Sequence, residues 1–182
     1  MGLFLSVVIV KNADEEAVKS CLVKAGNAHP DWNLITGECQ YRPWVGGVKV
    51  LLNDMCAGYE AIPQELSKEL LCPSMLCYIY DGDYWGYYFY EKGKELDAFH
   101  PMPDYFEPVS EEERQRLSGN SAVLARYFSI DEGRIKRYLV PWDADILESG
   151  ECLKAYENDV CGVGEDWQMA DFMSALGCPY DW

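Results

Sequence analysis

The chain is poor in histidine, in basic residues and in long apolar runs, and each shortage closes off a class of function. Histidine occurs only as His29 and His100 in 182 residues, each time directly before a proline. With so few imidazoles, histidine-rich zinc sites and histidine-based nucleophilic triads have little to draw on. No apolar stretch approaches the roughly 20 residues a membrane-spanning helix needs. Basic residues number 15 against 31 acidic ones, for a formal charge of -16. Such a field repels nucleic acid and anionic lipid at long range, so neither is an expected partner. The G-x-S-x-G elbow and the phosphate-binding G-x-x-x-x-G-K-[ST] loop are missing, and Gly162-Val163-Gly164 runs on into Glu165-Asp166-Trp167 without completing a dinucleotide fingerprint.

What is present suits a folded protein. Hydrophobic residues make up 49% of the chain and charged residues 25%, which sets it apart from disordered sequences. One domain spanning residues 1–182 is expected at this length. Residues 143–182 hold ten acidic residues against Lys154 alone, a net of -9, while residues 114–137 carry a net of +4. The two segments are read as pairing with each other inside the fold. Eight cysteines show one C-x4-C spacing, Cys72 and Cys77, and no C-x2-C rhythm. They read as free thiols in a reducing cytoplasm, several of them serving as small hydrophobes. The N-terminal run from Leu3 to Val10 lacks the flanks of a secretory signal. Gly2 and Ser6 match the loose myristoylation pattern, but the β-branched run behind them reads as a buried strand.

The hydrophobic periodicity divides the chain into elements. Residues 3–11 predict a central strand, and residues 14–25 a helix with Val18, Cys21, Leu22 and Ala25 on one face and Gly26 past its end. Short strands are expected near 39–42 and 48–52, and a helix over 63–71 begins at Pro63. Residues 75–81, 84–91 and 95–99 then form a three-stranded antiparallel meander with tight turns. The last 70 residues read as mostly helical. Capping boxes are expected at Ser110 and Ser129, and a final helix runs from an Asp166 cap to Gly177. The fold class is α+β, an antiparallel sheet with helices packed on it.

The densest chemical feature is the aromatic strand of that meander. Alternation puts Tyr84, Gly86, Tyr88 and Tyr90 on one face and Trp85, Tyr87, Phe89 and Glu91 on the other. Two readings stay open: a central strand covered on both sides, or an open face whose tyrosines and tryptophan recognise a partner. Asp81 and Asp83 form a D-x-D pair, which is either a divalent-metal site completed by Asp97 and Asp104 or simply the chemistry of a hairpin turn. A dyad of His100 with Cys72 or Cys77 is a further arrangement that spacing alone does not test.

Tyr80-Asp81-Gly82-Asp83-Tyr84-Trp85, followed by Gly93, Asp97-Ala98-Phe99 and Pro103-Asp104-Tyr105-Phe106, resembles acidic bacterial proteins of the toxin-immunity type. The resemblance covers residues 76–106 and implies a non-enzymatic, cytoplasmic, protein-binding domain without a cofactor. In that reading Tyr84, Trp85, Tyr87 and Tyr88 supply the anchors, while Glu157, Asp159 and their acidic neighbours steer a basic partner. The alternative is a small-molecule or metal-dependent binder or enzyme using the Asp81/Asp83 turn. It predicts a concave pocket near Asp97, His100 and Asp104. A carbohydrate platform made of the tyrosines is a third option.

Overall fold

Val7, Val8, Ile9 and Val10 are apolar without alternation, the pattern of a strand covered on both faces, and all four are fully buried. They belong to β1 (Leu5–Lys11) of a computed structural model that describes residues 2–143, 146–147 and 153–182. The other strands are β2 (Gln40–Trp44), β3 (Gly47–Leu51), β4 (Pro73–Tyr80), β5 (Tyr84–Glu91) and β6 (Lys94–Phe99). They form one antiparallel sheet in the order β2-β3-β1-β4-β5-β6. The β1–β3 register sets Val8 opposite Val50 and Val10 opposite Val48. β2 forms one edge and carries Pro43, a residue without an N–H that edge positions tolerate.

Five helices accompany the sheet among the described residues: α1 (Glu15–Ala28), α2 (Ile62–Glu69), α3 (Glu111–Arg116), α4 (Ser121–Phe128) and α5 (Gln168–Ala175). No helix among these residues is long and apolar enough to cross a membrane. The α+β class, the central first strand, both N-terminal helices and the meander are therefore as the sequence predicts. The C-terminal third departs from expectation. Among the described residues its short helices are separated by long irregular segments.

The chain resolves into two compact units. One comprises residues 4–78 and 87–96, and the other runs up to Leu3, then 79–86, then from Asp97 onward. In the first, α1 packs on α2 and β3, and α2 packs on β1. Asp14 caps α1 by accepting the Ala17 N–H at 2.8 Å. Gly26, expected past the end of α1, lies inside it, because the helix continues to Ala28 and His29 closes it.

The second unit is built around Trp85, whose ring centroid lies 4.9 Å from Phe172 and 5.1 Å from Phe99. Its indole N–H donates to Gln168 Oε1 at 3.2 Å. Burying a ring of this size contributes about 3 kcal/mol, so this cluster dominates the local core. Helix α5 ends in a Schellman motif: Cys178 N–H donates to the Met173 carbonyl and Gly177 N–H to that of Ser174, with Gly177 at φ +81°. The cap position at its start is Trp167 and not Asp166. Ser129 also differs from expectation, closing α4 at φ +57° as a C-cap, and Asp131 caps the short turn that follows.

Candidate functional site

Both tight turns of the meander are type I′. Asp81 and Gly82 have φ +53° and +75°, and Lys92 and Gly93 have +52° and +76°. The first turn closes with Asp83 N–H on the Tyr80 carbonyl at 2.9 Å. Asp81 thus stands at a corner that Asp and Gly accept for backbone reasons. Asp83 accepts a hydrogen bond from the Tyr105 hydroxyl, and Asp97 accepts the Asn120 N–H at 2.9 Å. No group of three or more metal-ligating side chains is gathered among the described residues. Asp143 and Asp145 make a second D-x-D pair in the sequence, and Asp145 lies outside the described residues.

Of the two readings of the aromatic strand, burial supports the covered one and corrects the open face with its anchors. Trp85 and Tyr87 are 0% exposed and Tyr84 is 3% exposed, while Tyr88 is half-buried and stacks on Tyr78 at 5.8 Å. A side chain with no accessible surface cannot be an anchor for a partner in this conformation. Asp159 is buried too, accepting from the Tyr138 hydroxyl at 2.6 Å and from Tyr156 N–H at 2.8 Å. Of the named acidic pair only Glu157 is exposed.

Pairing between the basic and acidic segments falls partly outside the described residues, since Asp145, Glu148 and Glu151 lie there. Arg114 pairs with Asp104 and Arg116 with Glu113, both locally. Among the later acids, Asp171 accepts the N–H groups of Val160 and Cys161, and Glu165 accepts that of Gly162. Irregular backbone needs acceptors that a helix would have supplied, and these carboxylates provide them.

The second unit contains a cavity of about 830 Å³ in the region where β6 gives way to loops. Residues 117–120 run beside the strand end, with His100 N–H on the Leu117 carbonyl and Gly119 N–H on that of Ala98, each at 2.9 Å. Trp142 N–H holds the Pro101 carbonyl at 2.9 Å. Phe99, Leu117 and Trp142, all buried, line the cavity together with Pro101, Met102, Pro103 and Pro141. Proline has no N–H to satisfy, so three prolines give an apolar wall without stranded donors. The more exposed lining includes Asp104, Tyr105, Glu111, Arg114, Gln115, Ser118 and Asp143.

Two groups set the electrostatics of this site. Burial pushes the His100 pKa down to about 4, so the ring is neutral near pH 7. Its Nδ1 accepts the Met102 N–H at 3.0 Å, which assigns the remaining proton to Nε2 and makes that atom a donor instead of a base. The Arg114 guanidinium holds the Asp104 carboxyl below the usual carboxylate range. Asp104 also accepts Val109 N–H at 2.9 Å, so it fastens both ends of the 104–114 segment.

Three residues named from sequence meet here: His100 and Asp104 line the cavity, and Asp83 bonds to the lining residue Tyr105. Asp81, Asp97, Cys72 and Cys77 do not line it. Arg114, Leu117 and Trp142 went unrecognised as site residues. The closely spaced Pro101, Pro103 and Pro108 were the available signal that this stretch forms irregular walls. No protein-family model, curated protein or solved structure matches the chain.

Proposed function

We propose that the protein binds a small organic molecule with an apolar body in the cavity beside His100. The carrying observation is the cavity itself: about 830 Å³, within the usual range for ligand sites, with apolar walls and a few polar groups converging on it. A ligand-finding screen by NMR, followed by titration of hits, tests the reading. Met102→Trp and Gln115→Trp place bulk at the cavity lining from positions outside the core. Hits lost in both variants support the proposal. Hits that bind both variants as they bind the parent protein would overturn it, as would a screen with none. At a concentration 100 times its Kd, a hit raises stability by about 2.7 kcal/mol.

A second reading, recognition of a basic protein partner, draws on a different observation. Phe106 is 69% exposed at the same loop, next in sequence to Tyr105 and two residues from Asp104. An exposed aromatic ring beside carboxylates suits a cationic protein surface. Its test is a partner whose binding weakens on Phe106→Ala and with added salt. Indifference to both removes it.

A further inference from the structure

Resting on the small-molecule reading, we infer that the ligand is an amphiphilic amine: an apolar body on the cavity floor, a neutral oxygen acceptor, and a cation at the acidic rim. The rim carries three carboxylates, Asp104, Glu111 and Asp143, against one guanidinium. That guanidinium is already engaged, since Arg114 pairs with Asp104 through two nitrogens and lies 3.6 Å from Glu111. It therefore offers little to an anionic ligand, and the net charge of -16 repels such a ligand at long range. Asp143 uses Oδ1 to accept Ile146 N–H at 3.0 Å, and its second oxygen has no hydrogen bond among the described residues.

The apolar side offers a ligand one donor, at His100. Trp142 is 5% exposed and lines the cavity, but its indole nitrogen is buried and without a partner among the described residues, so no ligand oxygen reaches it in this conformation. His100 Nε2, on a half-buried lining residue, makes no hydrogen bond among the described residues. An oxygen acceptor arriving with the ligand satisfies that donor. A carboxylate acceptor would meet the three rim carboxylates, whereas a neutral ether, hydroxyl or carbonyl oxygen does not. Keeping the cation at the exposed rim avoids the desolvation that a buried charge suffers, and Tyr105 adds an aromatic face there.

Three matched probes separate the elements of this inference: 2-phenoxyethylamine, 2-phenoxyethanol and phenoxyacetate share one ring and one ether oxygen and differ in charge. Binding is followed by the Trp142 indole N–H resonance, assigned by its loss in Trp142→Phe. The amine is expected to bind at least about tenfold tighter than phenoxyacetate and severalfold tighter than the alcohol, with only the amine weakening as salt rises. Asp143→Asn lowers amine affinity several-fold and leaves the alcohol unchanged. Should the alcohol match the amine, or the acid bind best, the cation assignment is overturned while the cavity reading stands. If the amine binds but the Trp142 resonance stays still, the assigned pose is overturned. If all three probes bind Met102→Trp and Gln115→Trp as tightly as the parent, or none binds the parent, the cavity reading falls with it.

Discussion

Asp159 shows how a residue chosen for its charge is used for its lone pairs. It receives the Tyr138 hydroxyl and the Tyr156 N–H, and Tyr138 in turn packs edge-on against Phe172 at 5.8 Å. Asp159→Ala strands both donors and is expected to cost about 1–3 kcal/mol in urea unfolding, a loss that a surface acid such as Glu157→Ala does not reproduce. His100 makes the pH prediction. Above its ordinary pKa of 6.5 the ring is neutral folded or unfolded and adds no pH dependence. As the pH falls below 6.5 the unfolded chain takes up a proton that the folded chain refuses until about pH 4. Stability therefore drops across that window, by up to about 3 kcal/mol, and levels off below it. Unfolding midpoints at pH 7.5 and 4.5 should differ less in His100→Gln than in the parent. Equal differences in the two proteins would remove this account of the histidine.

Helix ends make a contrasting pair at the next scale. Gly177 and Ser129 both hold left-handed backbone at the ends of helices, at φ +81° and +57°. Nothing lies within 4 Å of a Cβ built on Gly177, so the cost of Gly177→Ala is conformational and amounts to about 1 kcal/mol. Ser129→Gly relieves the same kind of strain and is expected to stabilise by about 0.5 kcal/mol. Opposite signs in thermal unfolding would confirm that backbone conformation, and not side-chain contact, governs both caps. The hairpins follow the same logic, since two I′ turns set the meander's register independently of the strands' aromatic content.

Over the whole molecule, the charge of -16 acts against compaction. Acidic residues outnumber basic ones 31 to 15, so like-charge repulsion exceeds what ion pairs can offset. Raising the ionic strength from about 0.01 M to 0.15 M shortens the screening length from ~30 Å to ~8 Å and should raise Tm. A Tm that falls or stays constant would mean that favourable ion pairs outweigh the repulsion.

The alternation of apolar residues, the capping aspartate at position 14 and the turn residues at 81–82 and 92–93 encode local geometry, and the sheet's strands were legible from them. Each such signal depends on neighbours within a few residues. What covers a face depends on residues far away in the chain. Alternation paired Tyr84 with Tyr88 and Trp85 with Tyr87, but only the packing of Phe99 and Phe172 against Trp85 shows why that tryptophan is closed to a partner. The C-terminal acids could be counted but not assigned, because a carboxylate that receives a loop N–H and one that faces water look alike in sequence. The cavity was the least legible feature. It is lined from residues 99–105, 111–118 and 141–143, and no pattern within any one of these segments records that they share a space.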